Sequence, residues 1–340
     1  MRAPHRARFT PHTRTDLSPA REEQPVRTTL WGSEHRRLLL IEPATEDVDV
    51  VAWAKENREL LDRSTIEQGA MVFRGFELDV ETFGRFADAT CPDLFELGRR
   101  FTDVSTYHPS KKLLWHNDGN VDHSRWPAKI ALYCRKPAES GGETTIADGR
   151  KILHALDPAI RKRFEDKKLL YVRNYWETLG HSWRRDFDVQ SLDEMSAYCQ
   201  ANDMEFRWLG DRLRLRWLRP AIRIHPRTRE RVWFNLLFLW HPARFAEDER
   251  QAMTESFHEE DLPDNCYYGD GSRIEKKIVE ELMAIHEEFK ISFCWQTNDI
   301  FMFDNMLFVH ARNPFVGERE VKLAMRQPIC RREVEGLSSC

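Results

Sequence analysis

The chain has 340 residues, with 52 Lys+Arg against 56 Asp+Glu and a formal net charge of −4. That balance excludes a dedicated nucleic-acid binder, which carries a basic excess, and 15 Gly and 16 Pro exclude a collagen-like or low-complexity chain. The longest strongly apolar run, 232–240, is nine residues long and contains Asn235, whereas a membrane-spanning helix needs about 20.

Residues 1–30 hold six arginines and few aliphatic side chains. Such a segment buries too little apolar surface to order itself, so a disordered tail is expected there. From 46 to 67, Val48, Val51, Ala52, Ala54, Leu60 and Leu61 recur at helical spacing, with Glu46 or Asp47 as the cap and Gly69 as the stop. A buried strand follows at 71–73, ending at Gly75. A second helix is expected at 81–90, with Phe83, Phe86 and Ala87 inward.

Further strands are expected at 129–134, 169–173, 222–225, 231–239, 300–304, 306–310 and 321–326, and further helices at 150–165 and 274–289. The Arg-dense stretch 212–231 alternates with apolar residues and reads as a strand pair with a charged outer face. Strands and helices do not alternate regularly, which disfavours a doubly wound parallel sheet. The expectation is α+β, mainly β: a double-stranded β-helix (jelly-roll) core with flanking helices and insertions, in one domain over residues 31–335. Seven cysteines, an odd number with no CxxC pair, give neither a disulfide framework nor a structural zinc site and point to a reducing, cytoplasmic setting.

Chemistry concentrates in two places. His116 and Asp118 are two apart, which on an extended backbone turns both to one face. His310 ends an apolar run far downstream, where an unsatisfied imidazole is costly. Two histidines and one carboxylate form the facial triad of non-haem Fe(II) oxygenases, which leaves metal positions open for other ligands. An HxD alone is weak evidence in a chain with 13 His, and a lone buried histidine is more often a hydrogen-bonded core residue.

The surroundings are more specific. Gly141-Gly142-Glu143-Thr144 follows the first motif. Asp304-Asn305 precedes His310, and Arg312, Pro314, Gly317 and Arg319 follow it. With these in order, the chain resembles the taurine/2,4-D dioxygenase-like superfamily of Fe(II)/2-oxoglutarate oxygenases. It looks most similar to the branch of syringomycin-type aspartate hydroxylases and clavaminate synthase-like enzymes. The resemblance runs from about Gly69 to about Met325 and includes Tyr171-Val172-Arg173-Asn174-Tyr175 and Val232-Trp233-Phe234-Asn235.

The resemblance implies His116, Asp118 and His310 as iron ligands and Thr144 as a hydrogen-bond donor to the far carboxylate of 2-oxoglutarate. It also implies a clamping arginine, either Arg319 or Arg326, with Arg319 favoured by its Gly-x-Arg turn. A planar guanidinium suits a carboxylate. Asn117, His123 and Arg312 are candidate substrate contacts, although Asn117, between two ligands, should point the opposite way.

The cofactors implied are Fe(II), 2-oxoglutarate and O2. The implied activity is hydroxylation or desaturation of an unactivated C–H in an amino-acid-like substrate, free or tethered to a carrier protein, in specialised metabolism. The branch usually carries Glu at the position of Asp118. Related halogenases lack this carboxylate, so its presence argues against halogenation. Two other classes stay open: a metal-dependent enzyme on the same barrel that does not use 2-oxoglutarate, and a non-catalytic binding protein.

Overall fold

The computed structural model describes residues 15–16, 25–33, 36–95, 100–104, 107–119, 125–176 and 182–334. Its centre is an eight-stranded sheet. From one edge to the other it runs through Thr15–Asp16, Val26–Ser33, Arg36–Pro43, Ala70–Phe73, Ile300–Asp304, Arg125–Lys136, Glu320–Cys330 and Thr102–Asp103. Arg36–Pro43 pairs in parallel with Ala70–Phe73, and the sheet's remaining pairs are antiparallel. A smaller four-stranded sheet has the order Ile291–Ser292, Thr144–Asp148, Phe308–Arg312 and Leu113–His116. A third sheet joins Met204–Leu209, Arg212–Arg219, Leu169–Trp176 and Asp264–Tyr268.

Strand alternation divides the core. In Ala70–Phe73, Met71 and Phe73 pack with Trp53, Leu61, Phe83 and Phe86 of the helices Val50–Glu56, Arg58–Glu67 and Val80–Thr90. Ala70 and Val72 point to the other face and meet Ile146 and Phe308 of the smaller sheet. That smaller sheet presents Trp115, Ala147, Val309 and Ala311 to a third cluster formed with the remaining sheet and helices. A strand buried on both faces is the expected outcome when helices cover one side of a sheet and a second sheet covers the other.

The expected jelly roll is not formed. Among the described residues the strands fall into separate sheets, none of which closes into a barrel or curls into a jelly roll, and helix (33%) and strand (36%) are nearly equal, so the fold is mixed α+β and not mainly β. Periodicity locates strands but carries no information on which distant edges bond to each other, and that pairing decides between one curled sheet and several separate ones.

Local differences have local causes. The helix expected at 46–67 is two helices meeting at Asn57, and its cap is Asp49, which accepts from Val51 N and Ala52 N at 2.9 and 3.0 Å. The 150–165 helix restarts at Pro158 behind the capping Asp157. The 231–239 strand stops at Trp233, because Asn235 accepts from Leu237 N and starts a helical turn over Leu237–Trp240. The Arg-dense stretch 212–231 holds the strands Arg212–Arg219 and Ile222–Ile224, which lie in different sheets: the first pairs with Leu169–Trp176 and Met204–Leu209, and the second with Arg231–Trp233. Arg214 pairs with Glu260 and Asp261. Most of the expected tail lies outside the described residues, but residues 26–30 belong to the strand Val26–Ser33, where Val26 and Thr29 are buried. Cys330 is disulfide-bonded, whereas Cys91, Cys134, Cys199, Cys266 and Cys294 are free.

Gly69 links this packing to the second histidine motif. Its φ is +80°, and a Cβ there would stand 1.7 Å from the ring of Phe308, two residues before His310. Gly69→Ala therefore combines left-handed strain with overpacking and should destabilise the fold by about 2–4 kcal/mol. Denaturant unfolding measures this, and an unchanged midpoint would remove the close approach from the account.

Candidate metal centre

His116 is the last residue of Leu113–His116 and lies directly opposite His310 in the antiparallel pair. Their imidazole centroids are 4.1 Å apart. Asp118 follows in the turn at Gly119, whose φ is +73°. His116 Nε2 lies 3.8 Å from one carboxylate oxygen of Asp118, and His310 Nε2 lies 3.6 Å from the other. One donor atom from each of the three residues falls within 4.8 Å of the others.

Proton positions suit a cation. His116 Nδ1 donates to Leu114 O at 2.7 Å, which leaves the Nε2 lone pair directed at the group. Burial, with His116 alongside, holds His310 well below the ordinary histidine range, so its ring is neutral. Burial raises the Asp118 carboxyl, opposed by the charge of His116. Three donors that are poorly solvated and lack a cation of their own fit a divalent metal, whose charge would reverse these shifts. Two nitrogens and one oxygen suit iron.

The triad lines a cavity of about 100 Å³ whose walls include the apolar residues Ile130 and Leu132. Thr144, Arg312 and Arg319 also line it. Thr144 is buried and sits across the strand pair from Arg312. Arg319 donates Nε to Gly142 O at 3.0 Å, and among the described residues it forms no ion pair with an acid. Burial pulls its pKa down to about 10. A partly desolvated guanidinium that makes no ion pair is costly, and its presence on this cavity wall fits an anionic ligand.

The other candidates lie elsewhere or are already committed. Arg326 is buried on the opposite face of Glu320–Cys330 from the cavity-lining Leu323, and its Nη2 is 3.0 Å from Asp88. Alternation along that strand turns it toward the helix Val80–Thr90. Asn117 is fully buried, points away from the cavity and donates to Asn305 O and Phe308 O. That geometry agrees with the expected orientation and removes Asn117 from the substrate contacts. Arg312 donates Nη2 to the carbonyls of Tyr107, His108 and Lys111, at 3.4, 3.0 and 2.9 Å, clipping that loop beside the cavity. His123 lies outside the described residues. Sequence reasoning gave Asn305 no role, yet its side chain contacts the backbone of Asp118. The only sequence signal for it is its place in the Asp304-Asn305 motif.

Residues 35–325 match the family described as taurine catabolism dioxygenase TauD, TfdA family. The chain is 31% identical over 315 residues to the dapdiamide synthesis protein DdaC of Enterobacter agglomerans, covering 89% of this chain and 94% of that one. It is 27% identical over 294 residues to a clavaminate synthase-like protein of Arabidopsis thaliana, covering 78% and 84%. Among solved structures it is similar to PvcB of Pseudomonas aeruginosa, with TM-score 0.57, 16% identity and coverage of 93% and 97%. Because the family match spans most of the chain and takes in all three residues of the triad, this chain belongs to the TauD, TfdA family and is an Fe(II)/2-oxoglutarate-dependent dioxygenase.

Proposed function

We propose that this dioxygenase hydroxylates an unactivated C–H bond of a small, amino-acid-like molecule in specialised metabolism, with desaturation as the related outcome. The substrate is either free or held on a carrier protein, and residues 31–335 act as one catalytic domain. The observation that carries the reading is Arg319, a half-buried guanidinium that lines the triad's own cavity and forms no ion pair with an acid among the described residues. A metal enzyme working without a dicarboxylate would leave that charge unexplained. The relative named for dapdiamide synthesis supports a place in specialised metabolism.

Bound iron would supply C–H oxidation coupled to the decarboxylation of 2-oxoglutarate to succinate. His116, Asp118 and His310 would hold it. Asp118 would fill one metal position with a carboxylate, which would favour oxygen transfer over halogenation. Arg319 and Thr144 would hold the far carboxylate of 2-oxoglutarate, the guanidinium by charge-assisted hydrogen bonds and the hydroxyl as a further donor. The apolar walls at Ile130 and Leu132 exclude water and strengthen those contacts. Arg312, with Nη2 given to three carbonyls, would hold the 107–111 loop against the site. Arg326, turned to Asp88, has no part in the clamp.

Two measurements test this. Asp118→Ala should abolish substrate-linked succinate release and weaken Fe(II) binding, so full activity in that variant would remove the triad assignment. Arg319→Ala should raise the 2-oxoglutarate concentration needed for half-maximal turnover about ten- to a hundredfold, the worth of a charge-assisted contact. Arg326→Ala should leave that requirement unchanged. The reverse pattern would move the clamp to Arg326.

A further inference from the structure

The two histidines are held by ladder pairing, but Asp118 is not. The strand ends at His116, and Asp118 lies in the turn beyond it. Its backbone is gripped instead by one side chain. Asp118 N–H donates to Asn305 Oδ1 at 3.0 Å, and Asn305 Nδ2 donates back to Asp118 O at 3.0 Å. The same Nδ2 donates to Pro127 O at 2.8 Å. The residue before Asp118 returns the contact, because Asn117 Nδ2 donates to Asn305 O at 2.7 Å and to Phe308 O at 3.0 Å. Asn117 Oδ1 in turn accepts from Asn235 N at 3.2 Å. Both asparagines are fully buried, and neither lines the metal cavity.

We propose that Asn117 and Asn305 form a reciprocal amide lock that sets the position of Asp118 relative to His310 and thereby the metal affinity of the site. The inference rests on reading His116, Asp118 and His310 as the metal ligands. In effect Asn305 acts as the strand partner that Asp118 lacks. Asn117 fixes Asn305 by its carbonyl and, through Phe308, ties the lock to the strand that carries His310. The two are positioning residues, since they act through Asp118 and offer no donor atom to the cavity.

The test needs a control that loses similar hydrogen bonds elsewhere. Asn174 is suitable. It is buried, donates to Glu260 O and Leu262 O, accepts from Arg214 Nε, and belongs to the third sheet. Fe(II) is titrated anaerobically into each metal-free protein by calorimetry, and the thermal midpoint of the same metal-free samples is recorded. Asn305→Ala and Asn117→Ala should each weaken Fe(II) binding about ten- to a hundredfold, the range for outer contacts of metal ligands. The double variant should fall little below the worse single one, because losing either amide opens the lock. Asn174→Ala should lower the thermal midpoint and keep wild-type Fe(II) affinity.

Should an alanine variant fail to fold, Asn305→Asp or Asn117→Asp replaces it. Each keeps the acceptor oxygen and loses the two donors, and the same loss of affinity is expected. Wild-type affinity in the Asn305 and Asn117 variants, or an equal loss in Asn174→Ala, overturns the lock while leaving the triad intact. A wild-type protein that takes up no Fe(II) overturns the triad reading and the lock with it.

Discussion

The register of one strand pair governs the site. His310 stands opposite His116 because Phe308–Arg312 and Leu113–His116 pair antiparallel with those two residues aligned. Side chains alternate along a strand, so a slip of one residue would bring Val309 or Ala311 to the metal and send His310 into the apolar cluster around Trp115. The register is protected by that same cluster, since Trp115, Val309 and Ala311 are buried on the far face and would be exchanged for polar groups. Core packing and ligand placement are therefore one constraint. The apolar residues that hold the smaller sheet in place also decide which side chains face the cavity.

Charge completes what register begins. The cavity is lined by two imidazoles and a carboxyl, with burial lowering His310 and raising Asp118, and by the half-buried guanidinium of Arg319. In the proposed reading, metal and dicarboxylate together would supply the opposite charges that these desolvated groups lack. The same low dielectric that makes an unpaired group costly makes each filled contact strong.

The parts of this arrangement that follow from spacing were legible in the sequence. Period two correctly indicated that His116 and Asp118 come together and that Asn117 faces away, although Asp118 lies in the turn past the strand's end and is held there by Asn305. Within Glu320–Cys330 the same period sets Arg326 on the face opposite Leu323, although reading it requires knowing which face looks inward, and that is fixed by Leu323 in the cavity and Asp88 behind Arg326. Some misses had visible signals, such as Pro158 behind Asp157, which marks a helix start within the expected 150–165 helix. The apolar run 231–239 had little, because hydrophobicity alone does not separate a buried strand from a buried helical turn. The jelly roll failed for a deeper reason. Ile300–Asp304 bonds Ala70–Phe73 on one side and Arg125–Lys136 on the other, partners far apart in the chain. No local pattern in any of these strands specifies the others.

The aspartate itself gives the amide contacts their weight. A glutamate, usual at this position in the branch the chain resembles, reaches one methylene further and adapts through an additional rotatable bond. With Asp118 the carboxylate already lies 3.6–3.8 Å from both imidazole nitrogens, so little side-chain reach is left to correct a misplaced backbone. The shorter arm transfers the demand for precision from the side chain to the main chain. Asn305 meets that demand by holding the N–H and C=O of Asp118 together, two contacts that fix orientation as well as position. Asn117, carried on the neighbouring residue, keeps Asn305 from moving in its turn. The polar residue between the two ligands is thus as much a part of the metal site's geometry as the ligands beside it, although it faces the opposite way.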